Sequence, residues 1–485
     1  VIQSGVKLWP GKEVDAGAVV KTSIIWGSQG RRVLFGRYGV TGVVNVDLTP
    51  EVAARLGAAF GATLPRGSVV TINRDGHAGS RMLKRAVISG LPSAGVNVKD
   101  LQSVPIPVAR FYTRKTPAAA GVHVRISPFD QRTVDIRFFG SDGMNLSKHE
   151  ERNIERVFFR EDFRRAYMDN IGIIGYASDA IPLYSDEFLN RVDQRAIRDA
   201  SLEIVIDYAY ASTSEVLPDI LQKLGVNTTP LGARVDPTYI SLEQEAFQEE
   251  RKRLAIIVAA LGSDLGVRLD VGGEKMFLAD DTGQMISDPV VCAALVELVL
   301  RSAPGCSVAV PVTLSSAFER IAKRHGGSIL RTPVDIASLM VAANNTDVIM
   351  AADGSGSFIF PEFHPVADAM MAMVKLLEYL ARHRVRFSEV VAGLPTFQVH
   401  STTVPCSWES KGAVMRRLQQ EFAEFDIQVL DGIKVFFNEW EWVLARPDPD
   451  RPLFHIAAEA QTSVRSEEIM ETHAHLVGRL AQNRP

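Results

Sequence analysis

Ser127 sits where a chain presents a nucleophile. In the stretch AGVHVRISPFDQRTVDIRFFGSDG (Ala120–Gly143), Val122, Val124 and Ile126 alternate with His123 and Arg125, the period of a strand over Gly121–Ile126. Pro128 stops that strand, Asp130 and Gln131 supply turn chemistry, and Val134–Phe139 makes a return strand. Backbone geometry then aims the Ser127 hydroxyl, which suits a nucleophile or phosphate carrier if a neighbour activates it. The competing reading is an ordinary loop serine. A second stretch, Asp270-Val271-Gly272-Gly273-Glu274-Lys275, places two carboxylates in a turn between two strands. Its competing reading is a solvated β-turn. The Gly-rich stretches Gly36–Gly42 and Gly354–Ser357 match neither a P-loop nor a complete dinucleotide fingerprint. His473 and His475 are two apart on a helix and face different ways, so they are poor joint metal ligands.

The elements that must position these residues exceed one core. A chain of 485 residues calls for three or four domains, and its 46% hydrophobic and 23% charged content is ordinary for globular protein. A net charge of −4 gives no reason to expect nucleic acid or an anionic membrane as partner. Cys292, Cys306 and Cys406 are odd in number and scattered, which reads as reduced cytosolic thiols. No apolar run is long enough for a membrane helix, and no signal peptide opens the chain, so the expected location is cytoplasmic. The chain opens at Val1 without a methionine, which reads as a fragment whose upstream part is absent.

Gly5, Gly11 and Gly17 fall six apart, with Val14, Val19, Ile24 and Ile25 recurring at coil spacing. Residues 1–30 therefore read as a short left-handed hexapeptide β-helix remnant, whose coils need an upstream body or a neighbouring subunit to cover them. Beyond it, strand and helix alternate. Thr49-Pro50-Glu51 caps a helix running to about Gly61. A strand at Ser68–Asn73, a helix at Met82–Ala94 and a strand at Val96–Leu101 follow, the signature of a parallel α/β layer. Ser147–Phe159 is a capped amphipathic helix. A second unit opens near Asp186 with a helix at Phe188–Ile197, and includes helices at Ser214–Leu224 and Leu242–Leu261 before the DVGGEK turn. A third starts after Gly305 and closes on a helix at Ala367–Arg384. A fourth, from about His400, is smaller and α+β.

Three α/β units and a small α+β fourth resemble the phosphohexomutase superfamily, which contains phosphomannomutases, phosphoglucomutases and phosphoglucosamine mutases. The resemblance runs from about Val33 to the C-terminus. It is carried by FGRYGVTGVVNVDLTPEVAARLGAAFG, LKRAVISGLPSAGVNVKDL, VPIP, DIRFFGSDG, FPEF and LDGIKV. It implies an α/β four-domain phosphohexomutase fold with boundaries at 1–30 (remnant), 31–185, 186–303, 304–399 and 400–485. It also implies transfer of a phosphoryl group between the 1- and 6-hydroxyls of a hexose, an isomerase-class reaction. A phosphoserine, a hexose bisphosphate primer and Mg²⁺ held by three carboxylates carry that reaction. The hexapeptide tail resembles the join in fused mannose-1-phosphate guanylyltransferase-like proteins of GDP-mannose-type pathways. A nucleotidyltransferase activity would need an upstream domain.

The resemblance assigns roles loop by loop. Arg125-Ile126-Ser127-Pro128-Phe129-Asp130 aligns with the phosphoserine loop TASHNP, so Ser127 is the catalytic residue, without the following His and Asn. Asp270 to Lys275 aligns with the metal loop DGDGDR. Asp270 and Glu274 remain as metal ligands, Gly272 replaces the middle carboxylate, and Mg²⁺ binding is expected to be weak or absent. Val271 replaces a glycine, which threatens a turn that needs positive φ. Lys275 joins the substrate-binding set with Asp353, Ser355 and Ser357 of the sugar loop, ADGSGS against the family's GE-x-SGH. Arg446 remains from the phosphate loop RPSGTEP, but Asp448, Pro449 and Asp450 replace its Ser-Gly-Thr donors and are expected to repel a phosphate. Thr41 stands where the family has arginine. The scaffold is kept and every functional loop is altered. The preferred expectation is a degenerate mutase-like domain with little or no turnover, serving assembly or regulation. It would associate with a nucleotidyltransferase domain or a second copy through the tail. The alternatives are an active phosphohexomutase using Ser127 and Mg²⁺, and a hexose-phosphate sensor.

Overall fold

The computed structural model describes residues 4, 33–396 and 398–482. The β-helix expected over 1–30 lies, but for residue 4, outside the described residues. The described chain forms two compact units. One comprises the residues up to Ile286 together with Glu362–Arg384, and the other Ser287–Pro361 together with the residues from Val385 onward.

The first unit is built on a seven-stranded sheet. Its strands are β1 (Phe35–Gly36), β2 (Gly39–Val43), β3 (Val69–Arg74), β4 (Asn97–Ser103), β5 (Ala118–Ser127), β6 (Asp130–Gly140) and β7 (Ile174–Tyr176), in the order β1-β2-β6-β5-β3-β4-β7. β3, β4, β5 and β7 are mutually parallel neighbours, and β6 returns antiparallel to β5. Val122, Val124, Val134, Ile136 and Phe138 line one face, packed with α1 (Pro50–Thr63), α2 (Ala78–Ser93) and α4 (Lys148–Arg160) into a continuous apolar core. The other face is polar. Asn73, His123, Arg125, Asp135 and Arg137 are all on it or paired across it, and all but Arg137 are buried. α3 (Ile106–Lys115) lies against this face, where Thr71 and Thr113 hydroxyls are 2.5 Å apart and Asn73 Nδ2 donates to the Val104 carbonyl. A four-stranded sheet completes the unit: Met276–Ala279, Leu265–Leu269, Glu203–Asp207 and Asn227–Leu231.

The second unit holds two sheets. One has parallel strands Ser328–Thr332, Ser307–Pro311 and Val348–Ala352, with antiparallel Phe358–Ile359 at the edge. The other is an antiparallel five-stranded sheet formed by Gln398–Pro405, Leu453–Ala460, Trp442–Pro447, Ile433–Phe436 and Asp426–Gln428, backed by helices Trp408–Glu421 and Ser463–Gln482. Among the described residues no helix is long and apolar enough to cross a membrane. The three cysteines are free thiols.

Local signals in the sequence explain many element ends. Thr49 accepts from Val52 N, with Pro50 opening α1. Ser147 and Glu150 form a complete capping box at α4. Several expectations need correcting. β5 and β6 run on to Ser127 and from Asp130, so Pro128 and Phe129 alone make the turn, and Asp130 and Gln131 are strand residues. The helix expected at Phe188–Ile197 is two helices, Ala180–Leu189 and Gln194–Ala200, the second capped by Asp193. α2 starts at Ala78, four residues before Met82, because the His77 side chain caps it. The sequence reading places no element at α3, where VPIP carries only the resemblance; Pro105 and Pro107 occupy its cap and first turn, where no amide is needed.

α1 and α2 cross closely because of two glycines. A Cβ on Gly57 would collide with the Val87 carbonyl, and one on Gly90 with the Ala54 carbonyl. Gly90→Ala adds helix propensity worth about 1 kcal/mol. It is nevertheless expected to destabilise the first unit by roughly 1–3 kcal/mol through overpacking, measured by denaturant unfolding. A stabilised variant would contradict the contact.

Candidate active-site loops

The Ser127 turn is held rather than loose. Ser241 Oγ donates to the Ser127 carbonyl (2.8 Å), Leu242 N to the Pro128 carbonyl (3.0 Å) and Gln131 Nε2 to the Ser241 carbonyl (3.0 Å). Behind it, buried Asp75 accepts from Ile126 N (2.6 Å) and His77 N (2.9 Å). Burial raises the Asp75 pKa against these bonds. Ser127 itself is half-buried.

The DVGGEK loop faces the polar side of the main sheet. Its shape comes from Asp270, whose Oδ1 accepts from Glu274 N (2.6 Å) and Lys275 N (2.7 Å) and whose Oδ2 accepts from Gly272 N (3.2 Å). Only Gly273 has positive φ, at 75°. The concern over Val271 is therefore corrected: the turn needs a glycine at 273, where one remains. The loop is anchored by two backbone donors, Ile106 N to the Gly272 carbonyl (3.1 Å) and Ala369 N to the Gly273 carbonyl (2.9 Å). Lys275 is half-buried beside it.

Glu274 is buried and ion-paired. Its Oε2 lies 2.5 Å from Arg137 Nη1 and 3.6 Å from Arg125 Nη1. Arg125 Nε in turn reaches Asp135 Oδ2 (3.3 Å), its partner across β5 and β6, and Thr41 Oγ1 donates to Asp135 Oδ1 (2.7 Å). Burial opposes the charge on Glu274, but Arg137, Arg125 and Arg110 outweigh it and hold the carboxyl down to about 2. Burial and then the negative Glu274 raise the Asp270 pKa. His123, opposite Arg137, is kept neutral by burial and by Arg125 and Arg137. Sequence reading singled out Asp270 and Glu274 but not Arg125, Arg137 and Arg110, whose charges act on Glu274, nor Asp135, which pairs with Arg125. A detectable signal was the run of charged residues at alternate positions on two strands otherwise apolar enough to be buried.

The family's Mg²⁺ does not fit these residues. Among the described residues no group of three His, Cys, Asp or Glu could hold a metal ion. Asp270 is engaged by three amides of its own turn, and Glu274 by two guanidiniums. Mg²⁺ prefers a near-octahedral oxygen shell, and these groups offer a divalent cation two adjacent positive charges instead.

The loops of the second unit are also internally satisfied. Asp353 Oδ1 accepts from Ser355 N (2.7 Å) and Ser357 N (2.9 Å), and Oδ2 from Ser355 Oγ (2.6 Å). Gly354 and Gly356 take positive φ in this hairpin. Ser355 is exposed and Ser357 buried. In the 446–452 loop, Asp448 Oδ1 accepts from Asp450 N and Arg451 N, both at 2.8 Å, and Oδ2 from His455 Nε2 at 2.7 Å. Burial works against the Asp448 carboxylate, but His455 and the two amides hold its pKa far down. The expectation of two carboxylates repelling a phosphate is corrected: Asp448 turns inward onto its own loop's donors, while Asp450 is exposed. Lys411 Nζ donates to the carbonyls of Asp448 and Arg451, each at 2.5 Å. Arg446 Nη1 is 4.0 Å from Asp431, and its Nε is buried without a hydrogen-bond partner.

The Glu274 pair has a pH signature. With its folded-state pKa near 2, its stabilisation is full above about 4.3, the ordinary glutamate value, and is lost as pH falls toward 2. Arg137→Ala is expected to destabilise the first unit by roughly 3–5 kcal/mol at neutral pH and to move acid unfolding to higher pH. Near-ultraviolet dichroism across an acid titration reads both. An unchanged acid limb would contradict the pairing.

Known proteins share this fold. Residues 32–165, 182–283 and 288–397 match, in turn, phosphoglucomutase/phosphomannomutase alpha/beta/alpha domains I, II and III. A phosphoglucomutase/phosphomannomutase of Thermococcus kodakarensis is 32% identical over 448 residues, covering 90% of this chain and 97% of that protein. The crystal structure of a phosphoglucomutase/phosphomannomutase family protein from Burkholderia thailandensis superposes with a TM-score of 0.81 at 19% identity, over 94% of this chain and 99% of the other. An Aspergillus fumigatus N-acetylphosphoglucosamine mutase, solved with GlcNAc-6P and magnesium, superposes with a TM-score of 0.58 at 12% identity, over 94% and 97%. With three domains matched in order and nine-tenths of its length aligned to a relative at that identity, the chain belongs to the phosphoglucomutase/phosphomannomutase family.

Proposed function

We propose that this chain is a mutase-family protein whose site has lost phosphoryl transfer, and that it acts by assembly or regulation in sugar-phosphate metabolism. The observation that carries this is Glu274, the second surviving carboxylate of the metal loop, held between Arg137 and Arg125. Phosphoryl transfer depends on positioning and on neutralising charge that develops on the moving group. With Asp270 engaged by its own turn and Glu274 neutralised, neither is left to recruit a metal. The self-capped Asp448 loop supports the same reading, since amides that could cradle a phosphate already hold a carboxylate. The reading includes the four domains at 31–185, 186–303, 304–399 and 400–485. It also includes association through residues 1–30 with a nucleotidyltransferase domain of a GDP-mannose-type pathway or with a second copy. The six-residue glycine spacing alone supports that part.

A second reading, an active phosphohexomutase, is favoured by one observation. The Ser127 turn is fixed by Ser241 and Leu242, as a phosphoryl carrier requires. In that case Mg²⁺ and a hexose bisphosphate primer are needed, with Lys275, Asp353, Ser355 and Ser357 as substrate-binding residues and Arg446 as the phosphate-binding residue.

A coupled assay with glucose 1-phosphate and mannose 1-phosphate, Mg²⁺ and a hexose bisphosphate separates the two. The expected result is no turnover above that of Ser127→Ala, and no phosphate on Ser127 by intact mass. Turnover that vanishes in Ser127→Ala would overturn the reading.

A further inference from the structure

The place of the missing carboxylate is filled by a cation. A Cβ built on Gly272 would lie 3.2 Å from Arg125 Nη1, 3.2 Å from Asp270 Oδ2 and 3.5 Å from Glu274 Oε2. The point between the two surviving carboxylates is therefore bordered by a guanidinium nitrogen. Arg125 cannot easily swing away. It is 7% exposed, tied to Asp135 and Glu274, and Asp135 is itself held by Thr41. A guanidinium is charged at any working pH.

We infer that Arg125 is the resident cation of this site, and that the protein takes no divalent metal between Asp270 and Glu274. The inference rests on the reading above and names the group responsible. A guanidinium brings donors in a rigid fork and no acceptor, so it satisfies carboxylates and repels a second cation. Three substitutions form one set. Thr41 and Gly272 stand where the family has an arginine and an aspartate, and Arg125 where it has a threonine. One guanidinium is gone from the Thr41 position and one has appeared on β5. A carboxylate is missing at 272, where Arg125 Nη1 would touch its Cβ.

Free Mn²⁺ gives a six-line paramagnetic resonance signal that disappears on binding, so titration of the full chain reads the site without any turnover. Wild type is expected to leave the signal unchanged. Gly272→Asp alone is also expected to bind none, because the new carboxylate pairs with Arg125. The double variant Arg125→Thr/Gly272→Asp is expected to remove one Mn²⁺ per chain, and adding Glu274→Gln to abolish that. Wild-type binding that is lost in Glu274→Gln would overturn the inference. So would binding by Gly272→Asp, or a double variant that retains the wild-type dichroism spectrum and binds nothing. If the double variant unfolds, wild type and Gly272→Asp still decide. The two readings fail separately: Ser127-dependent turnover without Mn²⁺ binding overturns the proposed function and leaves Arg125 as the cation, whereas Mn²⁺ binding without turnover does the reverse.

Discussion

The first unit depends on how charge is neutralised on the buried polar face of its main sheet. Glu274 descends onto that face between Arg137 and Arg125, and Asp135 answers Arg125 from the neighbouring strand. An unpaired charge in such surroundings is strongly destabilising, so each of these groups fixes the position of the next. The loop cannot shift without exposing Glu274, and the β5–β6 hairpin cannot change register without separating Arg125 from Asp135. Backbone bonds from Ile106 and Ala369 tie the first turns of two helices to the same loop. The result is a site whose counter-charges belong to the chain itself.

The same solution recurs in the loops of both units. Asp270, Asp353 and Asp448 each turn a carboxylate back onto the amides of their own loop. A loop satisfied in this way is stable without a ligand. In the 446–452 loop it also occupies the amides of Asp450 and Arg451. Thus the family fold is present, and three of its loops are each closed on a carboxylate of their own.

Much of the scaffold was legible because its signals are local. The Thr49 and Ser147 caps, the alternation in β5 and the strand–helix rhythm each depend on residues a few positions apart. α3 was hidden because prolines at 105 and 107 look like an extended segment unless one knows they fall at a helix start. The loops were found by resemblance, but their state was not. Arg125 and Arg137 lie on strands, and Glu274 joins them across 149 and 137 positions of sequence. Nothing local says that a charged residue on an amphipathic strand faces a buried carboxylate rather than water. The inward turn of Asp448 was equally hidden, because it involves His455 on the next strand.

The most direct measurement is anomalous diffraction at the manganese edge from crystals of this protein grown in millimolar MnCl₂. The account predicts no anomalous peak beside Asp270 and Glu274, and Arg125 density seated against Glu274. A peak coordinated by both carboxylates, with Arg125 displaced, would contradict it.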